Sequence, residues 1–282
     1  MRLLILIIPF LLISACQHIV FIDDGTLDST DSSKNDSDSY FDSDTLTDTD
    51  NTTDSDSSTD SDSVTDTEPS CAPDGVTPLI CDKFENGFNG EELNSGNASI
   101  TTSSEFVYEG KKALTLETFA ENQWASVSNN FTPVLTGALN FRFFVYIPEG
   151  GLTGRITLFN ISGDGDPLLE ETYGIDVNVS KTKNVEVYIF SNQVRSTSPD
   201  GIVPEGSWFC LHGTYLISST AGAATVWIDD KLAVSTEASI NTAIKNGASE
   251  THTGINWTED GQIHTKIYID NLLVSTDPVN CE

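Results

Sequence analysis

Basic residues are scarce in this 282-residue sequence: 13 Lys+Arg stand against 43 Asp+Glu, for a formal net charge of −30. So few cations cannot build a basic patch, which excludes nucleic acid and an anionic membrane surface as partners of the folded part. Cysteine is sparse as well. Five are too few for a disulfide-dense miniature scaffold, and the number is odd. The longest apolar run, Leu3 to Ile13, is too short to span a bilayer. No long segment keeps a helical period. There is no HExxH or paired-His spacing, and no Ser or Cys in a nucleophile-elbow context. His212, His252 and His264 are scattered as surface histidines usually are.

What the chain does have begins with an address. Arg2, the apolar run and Ser14-Ala15-Cys16 form the charged start, short apolar core and small-residue cleavage site of a secretory signal. Ile13-Ser14-Ala15-Cys16 also resembles the lipobox of bacterial lipoproteins, in which the cysteine is diacylated and becomes the new N-terminus. The resemblance implies lipidation at Cys16 and membrane attachment by acyl chains. Gln17, in place of the aspartate that retains such proteins at the inner membrane, implies the outer membrane or cell surface. The expected division is a signal peptide over 1–15, a lipidated tether over 16–70 and one folded domain over 71–282.

The tether is almost all Asp, Ser and Thr. Between Asp23 and Ser70 sixteen acidic residues face only Lys34, giving −15 over 48 positions, half of the total charge. With so little apolar surface to bury and like charges repelling, this stretch is expected to be a disordered, extended stalk. It is similar in composition to the serine-aspartate stalks of bacterial surface proteins.

From Cys71 onward, short alternating apolar runs are separated by Gly, Asn, Asp and Pro, the texture of an all-β, two-sheet antiparallel sandwich. The clearest strand is Ala138 to Ile147, where Leu139, Phe141, Phe143, Val145 and Ile147 alternate. Others are expected at Leu79 to Phe84, Glu105 to Val107, Ala113 to Glu117, Ala125 to Phe131, Arg155 to Ile161, Tyr173 to Val179, Asn184 to Phe190, Trp208 to Ile217, Ala224 to Ile228, Lys231 to Ser235, Gly254 to Trp257 and Thr265 to Ser275. Asp229-Asp230 reads as a tight hairpin turn. Glu237 to Asn246 reads as a short helix or an irregular crossover, and Ser162-Gly163-Asp164-Gly165-Asp166 as a turn.

Phe84-Glu85-Asn86-Gly87, Val107-Tyr108-Glu109-Gly110-Lys111-Lys112-Ala113-Leu114 and Ile267-Tyr268-Ile269-Asp270-Asn271-Leu272-Leu273-Val274 occur in the order in which similar stretches occur in carbohydrate-binding jelly rolls. Trp208-Phe209-Cys210 followed by Thr225-Val226-Trp227-Ile228-Asp229-Asp230 resembles concanavalin A-like lectin/glucanase and laminin-G-like domains. The resemblance implies a jelly roll over residues 79–276 that binds a glycan or a cell-surface partner. It also implies a structural Ca²⁺ held by Glu85, a backbone carbonyl at Lys111, and Asp270; an acidic domain readily supplies the six to eight oxygens that the ion takes. The paired-carboxylate array of the family's glucanases is missing, which favours a non-catalytic module. A polysaccharide lyase or glycoside hydrolase, and a structural envelope or adhesion protein, are the alternatives.

Sugar-binding faces use aromatic platforms beside amide and carboxylate groups. Trp227, Trp257 and Trp124 are the candidates. Trp227 alternates with Val226 and Ile228, so it is expected on the less buried face, whereas Trp208 is expected in the core beside Cys210. Asp176 and Glu186, each flanked by apolar residues, would share a solvated face if their strands are neighbours, which is the best case for paired-carboxylate hydrolysis. The Cys71 and Cys81 spacing is too wide for a usual zinc knuckle, so Cys71, Cys81, Cys210 and Cys281 are read as two disulfides. Three pairings exist. Because the termini meet when first and last strands pair, Cys71–Cys281 with Cys81–Cys210 is expected.

Overall fold

Alternation along one strand sets the layering. Leu139, Phe141, Phe143 and Val145 are fully buried, while Asn140, Arg142, Phe144 and Tyr146 project to the other side. The computed structural model describes residues 71–164 and 172–282. The signal segment, Cys16 and the tether lie outside the described residues, as does the end of the Ser162–Asp166 turn.

The strands are β1 (Pro78–Asp82), β2 (Glu91–Asn94), β3 (Ser99–Ser103), β4 (Ala113–Thr118), β5 (Ala125–Val134), β6 (Gly137–Tyr146), β7 (Arg155–Ser162) and β8 (Tyr173–Ser180). They continue as β9 (Val185–Ile189), β10 (Val194–Thr197), β11 (Trp208–Ile217), β12 (Ala223–Ile228), β13 (Lys231–Ser235), β14 (Ala248–Thr258) and β15 (Thr265–Ser275). The described residues hold no α-helix. An eight-stranded sheet runs β13-β12-β11-β6-β15-β4-β3, with β1 also pairing β15, and a seven-stranded sheet runs β10-β9-β8-β7-β14-β5-β2. The described pairings are antiparallel. This is the expected two-sheet antiparallel jelly-roll sandwich. The inner faces meet in an apolar core in which Phe159 stacks 4.4 Å from Phe141 and lies 5.5 Å from Phe143.

The differences from expectation have local causes. Glu105 to Val107 forms no strand: the backbone N–H groups of Tyr108 and Glu109 donate to the Asp270 carboxylate instead of a neighbouring strand, and Phe106 and Tyr108 stack on Tyr146 and Phe144. β14 begins six residues earlier than the apolar pattern suggests, because its inward residues Thr251 and Thr253 are polar in type yet fully buried. Glu237 to Asn246 is an irregular crossover carrying one bridge, Gly222 to Ile240. Asp229 and Asp230 both take left-handed backbone angles, φ 47° and 59°, as a two-residue hairpin turn of this kind requires. Trp208 is half-buried on the outer face of β11, alternating with the core residues Phe209 and Leu211.

The disulfide pairing differs too. The bonds are Cys71–Cys81 and Cys210–Cys281, with Cα–Cα distances of 5.7 and 5.8 Å, in place of Cys71–Cys281 and Cys81–Cys210. The termini do meet, since Arg142 donates to the carbonyls of both Cys71 and Asn280. β1 and β11 nevertheless have β15 and β6 between them. Three interstrand steps amount to about 14 Å, twice the Cα separation that a disulfide spans. Cys71 therefore folds back onto its own strand, and the C-terminal tail is fastened to the outer face of β11.

Candidate functional site

The two outer faces of the sandwich carry different chemistry. On the seven-stranded sheet, register places Ser128, His252, Asn160, Asp176, Tyr188 and Arg195 in one cross-strand row over β5, β14, β7, β8, β9 and β10. Each projects outward because its strand neighbours are core residues: Thr251 and Thr253 beside His252, Phe159 and Ile161 beside Asn160, Ile175 and Val177 beside Asp176, Val187 and Ile189 beside Tyr188. At about 4.8 Å per strand the row is about 24 Å long. Trp257, Thr157, Asn178 and Glu186 form a second row alongside it.

Within the first row, Asn160 donates to Asp176 at 2.8 Å and to the Ile175 carbonyl at 3.2 Å. Its own carbonyl oxygen is buried and has no partner among the described residues, nor has Arg155 Nε. Burial pushes the Asp176 carboxyl up to about 6; the Asn160 hydrogen bond, His252 and Arg155 oppose this, and Glu186 adds to it. Glu250 is held down to about 2, chiefly by His252 at 2.9 Å, against the effect of burial and with help from Ser128 and Ser162. Glu186 accepts from Arg155 at 2.9 Å and lies 3.5 Å from Arg195. Arg155 also lies over the Trp257 ring, 5.2 Å from its centroid, and Arg195 over Tyr188 at 5.5 Å.

Asp176 and Glu186 thus share a face on neighbouring strands, but Tyr188 faces Asp176 and Asn178 faces Glu186. They are diagonal neighbours, and Glu186 is engaged by two arginines. Of the tryptophans, Trp257 is half-buried on this face, and Trp124, 43 % exposed, directly precedes β5 at the same end of the sheet. Trp227 lies elsewhere. As its alternation predicts, it is on the outer side of β12, but in the eight-stranded sheet, stacked 5.0 Å from His212, whose Nε2 lies 3.1 Å from Asp230. His252 and Glu250 escape sequence reasoning because β14 looks like a polar loop; the signal was Glu250-x-His252 alternating with Thr251 and Thr253. Asn160 lies on the expected strand β7, but its place beside Asp176 and His252 depends on register.

The suggested metal residues come together around Asp270 on β15, where its pairing passes from β4 to β1. Lys111 N–H donates to Glu85 Oε1 at 2.7 Å, and a Cβ at Gly110, which has φ +78°, would overlap that oxygen. Asp270, fully buried, accepts N–H bonds from Tyr108 at 3.0 Å, Glu109 at 3.1 Å and Asn271 at 2.8 Å. Burial raises its carboxyl to about 6 against those bonds, and the Glu85 charge raises it further. A bulge follows Asp270 in the pairing with β6, leaving Asn271 at φ +50° with its side-chain oxygen buried and without a partner among the described residues.

No protein-family model matches the chain, and no curated protein matches it in sequence. Solved structures do. An endo-β-1,4-glucuronan lyase from the fungus Trichoderma reesei superposes with a TM-score of 0.56 at 15 % identity, covering 71 % of this chain and 96 % of that one. The fold is that of a jelly-roll β-sandwich. Cellulose induced protein, Cip1, matches at 0.52 and 12 % identity over 72 % of this chain and all of its own. A variant of alginate lyase Aly36B in complex with alginate trisaccharide matches at 0.50 and 13 % identity, over 72 % of this chain and all of its own. At these identities the likeness is one of fold.

Proposed function

We propose that the domain binds a polysaccharide along the outer face of the seven-stranded sheet and acts as a binding module. The observation that carries this reading is the continuous row from Ser128 to Arg195, which joins carboxylate, carboxamide, hydroxyl and aromatic groups in one register. Such groups hydrogen-bond sugar hydroxyls while rings stack on sugar faces. Trp257 supplies the platform beside it, and Trp124 extends that end. The structural neighbours named for glucuronan and alginate make polysaccharide a ligand class met on this fold. Paired-carboxylate hydrolysis has little support, since Glu186 is committed to Arg155 and Arg195.

Two further parts belong to the proposal. A structural Ca²⁺ suits Glu85, Asp270 and the partnerless oxygen of Asn271: two carboxylates whose charges oppose each other, one of them fully buried, supply oxygens that a divalent cation would neutralise. Such an ion would fix the 104–112 loop to the last strand. The N-terminal motif supports anchoring by a lipid on Cys16, with the acidic tether displaying the domain at the outer membrane or cell surface. Cys16→Ser should then move the protein from the membrane fraction to the soluble one; if wild type carries no acyl mass, the anchor is refuted.

The binding reading is tested at Asp176. Its folded-state pKa lies above the unfolded value, so its stabilising contribution is complete below about pH 4 and is lost as pH rises through 6. Asp176→Asn should therefore be more stable than the parent at pH 7, by about 1–2 kcal/mol after allowance for partial exposure, with the gap closing toward pH 4. The same change should weaken glycan binding about tenfold, as expected for losing hydrogen bonds to a charged group. Urea melts at both pH values and a binding isotherm on one preparation measure this trade. Unchanged affinity in the stabilised variant would remove Asp176 from the binding face.

A further inference from the structure

We infer that this face selects uncharged polysaccharide and rejects polyuronates, an inference that rests on the glycan-binding reading above. The seven strands of the sheet contain three basic side chains, Arg155, Arg195 and His252, and five carboxylates, Glu91, Glu92, Asp176, Glu186 and Glu250. Each basic group already has a carboxylate partner: Arg155 and Arg195 both turn to Glu186, at 2.9 and 3.5 Å, and His252 lies 2.9 Å from Glu250. Arg155 is also 3.8 Å from Glu259. Asp176, at the centre of the row, has only the Asn160 amide as its hydrogen-bond partner and no cation within ion-pair distance among the described residues.

A uronate carboxylate needs a cation or several convergent N–H donors to offset its desolvation. Here it would meet guanidinium groups that carboxylates have already engaged, beside the unneutralised charge of Asp176. A hydroxyl makes no such demand. It can donate to Asp176, whose carboxylate has acceptor capacity left beyond the Asn160 bond. The same accounting gives Glu186 a part in specificity. It engages both arginines, at 2.9 and 3.5 Å, and removing its charge would release them.

The test is a pair of titrations of the full chain, one with an uncharged β-linked gluco-oligosaccharide and one with a β-linked glucurono-oligosaccharide of equal length. The uncharged chain should bind at least about tenfold more tightly, and added salt should narrow the difference by screening the repulsion. Glu186→Gln should improve affinity for the uronate chain by about tenfold, with a thermal melt to confirm folding. If Glu186→Gln does not fold, the wild-type comparison decides alone. Equal or tighter uronate binding by wild type would overturn the selectivity while leaving the face as a glycan site. Binding of neither chain would overturn both.

Discussion

Replacing Cys210 and Cys281 together by serine should lower the melting temperature by about 8–16 °C. The bond closes a loop with a sequence separation of 71 residues, for which the chain-entropy model gives about 4 kcal/mol, and in a domain of this size each kcal/mol moves the midpoint by about 2–4 °C. Cys210 is 2 % exposed, so a serine hydroxyl there adds a burial cost in the same direction. The bond holds the tail against the outer face of β11, where Cys281 N–H reaches Asp230 at 3.2 Å and Arg142 reaches Asn280. Cys71→Ser with Cys81→Ser should cost less, about 3 kcal/mol, because that separation is 10 residues. Thermal melts rank the two double variants. A larger loss from the Cys71–Cys81 pair, or a Cys81–Cys210 peptide in a non-reducing map, would contradict the assigned connectivity.

If the proposed Ca²⁺ is bound, removing it should have the second large effect. At free calcium of 100 to 1,000 times the dissociation constant, an ion bound only by the folded state contributes about 3–4 kcal/mol. A chelator should therefore lower the melting temperature by about 6–16 °C. Asp270→Ala should remove the response. That variant will itself be less stable, because Tyr108, Glu109 and Asn271 lose the acceptor for their N–H groups, so the diagnostic quantity is the difference between melts with calcium and with chelator. A wild-type melt unmoved by chelation would make Asp270 a hydrogen-bond acceptor alone.

Much of the sandwich is legible in the sequence, because alternating apolar residues have a direct physical counterpart. Trp208–Ile217, Lys231–Ser235 and Thr265–Ser275 match the expected strands to the residue. The short edge strands β2, β3 and β10 escape, since residues such as Glu91, Thr101 and Thr197 bury little and leave no apolar pattern. The outer polar row is harder still to read. Asp176 stands out between Ile175 and Val177, but its relation to Asn160 and His252 depends on which strands are neighbours and in what register, and β14 separates from its surroundings only once buried threonines are admitted as core residues. Trp227 illustrates the same limit. Alternation correctly puts it outside the core, yet cannot say which of two sheets it decorates. The disulfide pairing depends likewise on strand order, which places β15 and β6 between Cys81 and Cys210.

The central claim is that glycan lies on the outer face of the seven-stranded sheet, and matched isotherms of Trp257→Ala and Trp227→Ala test it most directly. With an uncharged gluco-oligosaccharide, Trp257→Ala should weaken binding by about 1–3 kcal/mol, the range for losing an aromatic platform under a flat ring, or roughly 5- to 150-fold. Trp227→Ala, on the opposite outer face against His212, should leave the affinity unchanged. Loss of binding in Trp227→Ala with full affinity in Trp257→Ala would place the ligand on the other sheet and contradict the account.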